Sequence, residues 1–408
     1  MIVWSGYTLS ALMSCFAVVN NLYYSSIDFT YQTTCIAPLF FLLTTNLIIS
    51  LPFRKIDERK IELTRINTDL PIYKAFVYFS LFFFFIISIM KIYEATAIQT
   101  VSSYSDVYQM MNDGDSTKML RDLLYTNSFL RTLSGIGGSY CPTMAPLIII
   151  YLFNKVIKKR ELKIETVFCF IITLIPVVLH GVTNASRGGI FFEMFQLLFF
   201  YMIIRPYLKK KIRKIFLIGS ILVLTLFWGI SYAITESRLE TRQGSYTAYE
   251  EIMIYFGQPM LNVCYYQDKI KYHPMGKRFL DIREGGENQT FKDYWNNKTG
   301  AQVQIFKTYY GDVYLEFGLV GAFLFVILYT SAWNSVVLKK YRQPLFIPFV
   351  WYYFLTLIFG VFDFKNLFNI YSIWLFILIL LCIYISSKSN FQSKILIQSK
   401  NRKSTILC

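Results

Sequence analysis

Apolar runs of about eighteen residues recur from one end of this chain to the other, the length a helix needs to cross a bilayer. They occupy residues 2–19, 35–53, 75–92, 132–153, 164–182, 190–204, 215–234, 313–336, 345–362 and 367–385. The connections alternate in charge. Arg54, Lys55, Arg59 and Lys60 follow the second run, and Lys155, Lys158, Lys159, Arg160 and Lys163 follow the fourth. Arg205, Lys209, Lys210, Lys211, Arg213 and Lys214 follow the sixth, Lys339, Lys340 and Arg342 the eighth, and a basic tail the tenth. The intervening short loops are nearly free of cations, with Arg187 and Lys365 as single exceptions. Cytoplasmic loops carry the excess of Lys and Arg, so both termini are expected in the cytoplasm and Arg187 on the outer face. The expected architecture is one all-α polytopic membrane domain over residues 1–408, with about ten transmembrane helices. The first run starts at Met1 without a basic lead, and is expected to be a retained span.

Composition agrees with this class. Residues are 55% hydrophobic and only 16% charged, where a soluble chain carries about a quarter charged. The net charge of +16 raises the question of nucleic acid. The cations sit in short clusters between apolar runs, which is the membrane pattern, so a nucleic-acid partner is set aside. The seven cysteines show no CxxC spacing and are expected to be small packing residues. No GxxxxGK[ST] phosphate loop is present, which argues against an ATP-driven activity.

Two outer loops are long. Residues 94–131 form a polar one. Residues 235–312, between the seventh and eighth runs, hold ten of the forty-one cations, and long segments translocate regardless of charge. Within the second, residues 246–266 are expected to form one or two short amphipathic helices with a break at Gly257 and Pro259. Residues 272–300, rich in Gly and Asn, are expected to be irregular. The aromatic density of the loop as a whole, from Tyr246 to Trp295, favours a structured lid.

Four constellations carry candidate chemistry. Ser186-Arg187-Gly188-Gly189 places a guanidinium between small residues at an outer turn, where it suits phosphate and the glycines permit close backbone approach. The plainer alternative is a tight turn whose Arg snorkels to headgroups. Arg238 and Arg242 lie at i, i+4 and share a face if helical, which suits a diphosphate. Arg278 and Arg283, taken singly, are expected on a solvated surface. His180, at the outer end of the fifth run, and His273, in the long loop, are candidate proton acceptors; without a nearby carboxylate cluster they imply no metal. Glu193 lies inside the sixth run, and Asp312 and Glu316 stand at i, i+4 on the outer end of the eighth. Each is a candidate base or a partner for an arginine.

Three stretches resemble a known family. They are Ser186-Arg187-Gly188-Gly189, Tyr255-Phe256-Gly257-Gln258-Pro259, and the segment from Tyr309-Tyr310-Gly311-Asp312 through Glu316-Phe317-Gly318 to Gly321. Together with the topology they resemble the O-antigen and capsular polysaccharide repeat-unit polymerases, the Wzy-type family. Glu316-Phe317-Gly318 stands where that family often has Asp-Phe-Gly, and its Arg-x10-Gly repeats are missing. The resemblance implies a metal-independent, cofactor-free GT-C-type glycosyltransferase in the bacterial inner membrane. It would transfer a growing glycan from undecaprenyl diphosphate onto a lipid-linked repeat unit at the outer face. A chain-length regulator and a flippase are the partner proteins it implies. On this reading His273, Asp312 and Glu316 are catalytic, and Arg187, Arg238 and Arg242 bind the diphosphate. Ser186, Gly188, Gly189 and His180 support them. An O-antigen ligase shares the architecture and donor. A lipid-linked-sugar flippase or other transporter would call for internal repeats and midplane polar residues.

Overall fold

The structure, a computed structural model, describes residue 12 and residues 36–56, 68–101, 127–183, 187–241, 248–280, 291–303, 308–335, 344–358 and 374–387. Among the described residues the regular structure is all helical, with no strand. In chain order the helices are α1 (Ile36–Ser50), α2 (Pro71–Val101), α3 (Ser128–Lys159), α4 (Ile164–Thr183) and α5 (Arg187–Ile204). There follow α6 (Lys210–Thr241), α7 (Ala248–Lys269), α8 (Phe291–Thr299), α9 (Tyr309–Trp333), α10 (Ile347–Ile358) and α11 (Trp374–Ser387).

Among the described residues three helices are long and apolar enough to cross a membrane: Pro71–Thr96 within α2, Ser128–Lys159 and Tyr309–Trp333. Phe40–Phe53, Ile164–His180 and Trp374–Ser387 are apolar but shorter. The run expected at residues 2–19 lies almost wholly outside the described residues. Two of the long helices expose apolar stripes. On α2 the stripe includes Tyr78, Phe79, Phe82, Phe85 and Ile89, and on α9 it includes Val320, Leu324, Ile327 and Leu328. Spacings of three, four and seven put each set on one side of its helix. Surfaces this apolar are rare against water and suit lipid.

The chain folds as two compact units. One comprises Asp57–Arg238, Lys340–Pro348 and Ile370–Cys408. Its centre is α3, which packs against α2, α4 and α5 and is buried along most of its length. Polar groups on its face find partners, as burial demands. Tyr73 Oη donates to the Leu147 carbonyl at 3.0 Å, Ser80 and Tyr140 share a hydrogen bond of 2.8 Å, and Trp374 Nε1 donates to Ser139 Oγ at 2.9 Å.

The other unit comprises Met1–Ile56, Leu239–Lys339 and Phe349–Asn369. Here α1, α7 and α9 pack pairwise against one another. Two loop expectations are corrected. No break occurs at Gly257 and Pro259, because α7 is one helix through both. A proline inside a helix costs about 3 kcal/mol, but burial of Leu261, Val263 and Cys264 offsets it, and the buried Gln258 amide donates to Asn262 Oδ1 at 2.7 Å. Nor is 272–300 irregular throughout, since Phe291–Thr299 is helical. Tyr294 and Trp295 carry it into a core with Tyr266, Ala301, Val303 and Leu315, and packing overrides the poor propensity of its Asn residues. Lys271 N–H donates to the Thr299 carbonyl at 2.9 Å and ties the end of this helix to the chain after α7.

A third correction concerns Cys264 on α7, which is disulfide-bonded, while Cys141, Cys169 and Cys382 are free. Spacing alone cannot reveal such a bond. Its presence on the long loop suits an oxidising compartment.

Candidate functional site

The feature that organises the site is a break in α9. Gly318 has φ +69° and ψ −174°, a conformation outside the helical region that only glycine adopts readily. Ladder bonds are interrupted there, and the carbonyls of the preceding turn turn to the long loop. His273 Nδ1 bonds to the Leu315 carbonyl at 2.9 Å. Met275 N–H donates to the Glu316 carbonyl at 2.8 Å. The loop meets the break with special geometry of its own, since Met275 (φ +55°) and Gly276 (φ +89°) are both left-handed. Of the three, only Met275 holds a left-handed conformation that costs a side-chain-bearing residue energy, and the Glu316 carbonyl holds it there.

The carbonyl of Leu315 can only accept, so His273 Nδ1 carries the proton. In the neutral ring Nε2 then keeps its lone pair. That nitrogen faces Gly318, where an added Cβ would sit 3.2 Å from it. Tyr314 braces the imidazole edge-on, with ring centroids 5.6 Å apart. His273 is thereby held in place by the bond it donates and by Tyr314, half-buried on the loop.

Beside it lies a buried charge cluster. The Arg278 guanidinium pairs with Asp312 through Nη2, and its Nε lies 2.6 Å from Glu316 Oε1. The second contact is an ion pair outside hydrogen-bond alignment. Glu316 Oε2 also accepts from Gly276 N–H at 2.9 Å. Burial alone lowers the Arg278 pKa, but Asp312 and then Glu316 reverse this and hold it above the ordinary arginine value. Phe279 lies under the cation, 5.1 Å from its centre, and packs against Phe317. The expectation of a solvated surface is therefore corrected for Arg278, which is 6% exposed. One cation set against two carboxylates cannot serve as a free phosphate grip. It can lock the loop to α9.

The three catalytic candidates, His273, Asp312 and Glu316, thus come together in one unit. Other candidates fall elsewhere. Arg187, Gly188 and Gly189 open α5, but their side chains lie outside the described residues, as do Ser186 and Arg242 altogether. Arg238 lies near the end of α6 and Glu193 lies in α5, again with side chains outside the described residues. His180 ends the apolar part of α4 with its ring against α3, where a Cβ on Gly138 would meet its Cε1 at 3.1 Å.

Sequence reasoning overlooked a second buried cluster. Lys91 Nζ donates to Glu94 Oε2 at 2.6 Å and to Ser134 Oγ at 3.1 Å, and Ser134 Oγ donates to Glu94 Oε1. Both charged residues are 2% exposed. A lysine inside an apolar run, with an acid three residues on, was the available signal. Among the described residues no group of three or more His, Cys, Asp or Glu is placed to hold a metal ion.

Comparison with family models, with curated proteins and with solved structures finds no match to this chain.

Proposed function

We propose that this chain is a polysaccharide polymerase of the bacterial inner membrane, a GT-C-type glycosyltransferase with about ten spans. It transfers a growing glycan from undecaprenyl diphosphate onto a lipid-linked repeat unit at the outer face, for O-antigen or capsule. One observation carries the reading: Asp312 and Glu316, at the head of a membrane-length helix, meet His273 on a loop that Arg278 ties to that helix.

In the proposed reaction His273 Nε2 takes the proton of the acceptor sugar hydroxyl. The hydroxyl oxygen bonds to the anomeric carbon of the donor. The bond from that carbon to the diphosphate oxygen breaks, and the lipid diphosphate leaves with the electron pair. Asp312 and Glu316 hold Arg278 and the loop, and so position the histidine. Arg187, Arg238 and Arg242 are assigned to the departing diphosphate, whose growing charge needs fixed cations. Membrane lipids and the lipid-linked glycans are the ligands, with a chain-length regulator and a flippase as partners. Replacing Arg187 by Ala tests the assignment. Chain extension should be abolished while the protein still reaches the membrane, and a ladder of normal length would refute it.

The Lys91–Glu94–Ser134 cluster favours a second reading, a transporter of lipid-linked sugars, because buried ion pairs within spans often mark a transport path. Reconstituted vesicles separate the two. Movement of lipid-linked units across the bilayer without lengthening would select the transporter.

A further inference from the structure

We infer that the far end of α3 carries a built binding site for an anionic phospholipid headgroup. A cavity of about 450 Å³ opens there, between the last turn of α3 and the chain entering α6. It lies within the roughly 300–1,000 Å³ range of ligand pockets. Its lining is split by chemistry. Ile157, Leu208 and Ile212 supply an apolar floor, and Lys158, Arg160 and Lys209 supply the cations. Leu208 and Ile212 are buried, while the three cations are exposed. Because α3 is long and apolar enough to span a membrane, its charged end marks a boundary between hydrocarbon and water. An amphiphile with an acyl chain on the floor and a phosphate at the cations matches this lining.

The surroundings favour an anion. Residues 155–165 and 205–214 contain eleven Lys or Arg against two acids, Glu161 and Glu165. Neither acid lines the cavity. Asp69 is paired with Lys74 at 2.9 Å and also lies in the field of Lys158, whose Nζ donates to Thr68 Oγ1 at 3.3 Å, so Arg160 and Lys209 are the cations left to the cavity. Arg213 Nε donates to the Leu208 carbonyl at 2.8 Å and fixes the turn that forms one wall. Arg160 is the more telling residue. It occupies the left-handed C-cap of α3, at φ +53°, a position that glycine fills at lower cost. Its guanidinium complements the negative end of α3 and lines the cavity as well.

The test uses the full-length protein in nanodiscs of phosphatidylcholine, titrated with dioleoyl phosphatidylglycerol and read by native mass spectrometry. Phosphatidylglycerol should bind preferentially. Combining Arg160→Gly and Lys209→Gln should weaken binding by about fivefold per cation. Arg160→Gly alone should lose about fivefold and keep or raise the melting temperature, because it relieves the cap. Ile157→Trp should block binding without altering charge, whereas Lys210→Gln with Lys211→Gln should leave it intact. The inference fails if the combined variant binds as wild type does, or if the Lys210/Lys211 pair loses as much as the combined variant. It also fails if glycerol 1-phosphate, which has no acyl chain, binds as tightly as the lipid.

Discussion

His273 and Gly318 face each other across the junction of the long loop and α9: a Cβ on Gly318 would lie 3.2 Å from the histidine Nε2. The absence of a side chain at 318 is what lets the imidazole lie this close to the helix. A helical residue at 318 would re-form the ladder and draw the Leu315 and Glu316 carbonyls back from the loop, so the helix break and the seating of His273 go together.

Gly318→Ala is the first consequence. It forces a side chain into a backbone region essentially reserved for glycine, at a cost of about 1–3 kcal/mol, and presses on the imidazole. Chain extension should be lost even in preparations that remain folded. Gly321→Ala meets Phe317 Cβ at 2.6 Å and should lower the melting temperature instead, since backbone conformation at 321 is ordinary. Equal activity loss at equal residual fold in both variants would count against a specific role for the break.

Arg278 sits between two carboxylates in a buried place. Arg278→Met strands them and should destabilise the protein by about 3–5 kcal/mol. Adding Asp312→Asn and Glu316→Gln should recover much of that loss, because the stranded charges go with the arginine. Melting temperatures in detergent for the single and triple variants measure it. A triple variant less stable than the single one would contradict the lock.

The pH dependence of the lock follows from its sign. Arg278 has its pKa raised in the folded protein, so its stabilisation is complete below the unfolded arginine value and is lost only as pH climbs through the still higher folded value. Melting temperature should show no step from this lock between about pH 7 and 10, where arginine stays charged. A step on the alkaline side that disappears in Arg278→Met would overturn this account.

Much of this arrangement was legible in the sequence, and what was not has a physical cause. Asp312 and Glu316 announce themselves by their four-residue spacing, and His273 by being one of only two histidines. Arg278 does not. Its partners lie thirty-four and thirty-eight positions away, and nothing local tells a buried arginine from a solvated one. The helix at Phe291–Thr299 was hidden for a similar reason, because Trp295 finds its packing at Tyr266 and Leu315. Lys91 and Glu94 were visible as charges at an apolar run's end, yet only the approach of Ser134 from α3 shows them as a buried set.

That set makes its own prediction. Removing one charge, by Lys91→Met or Glu94→Gln, should cost about 3–5 kcal/mol because the other stays buried and unpaired. Ser134→Ala should cost about 1–3 kcal/mol for the lost bonds. Thermal melts of the three variants decide it, and an unchanged melting temperature in Lys91→Met would contradict a buried ion pair at this position.

The disulfide at Cys264 bears on which side of the membrane the loop occupies. Protein isolated without reductant should leave Cys264 unlabelled by a maleimide after denaturation, and reductant should expose it, as peptide mass spectrometry reads directly. Full labelling without reductant would place the loop in a reducing compartment and reverse the proposed orientation.

The most direct measurement is elongation of a lipid-linked repeat unit by purified protein in proteoliposomes, with wild type compared with His273→Gln at matched protein content. Wild type should build a ladder of lengthened glycan and release undecaprenyl diphosphate, and His273→Gln should yield neither above background. A ladder of wild-type rate from His273→Gln, or no elongation by folded wild-type protein on its own pathway's repeat unit, would contradict the account.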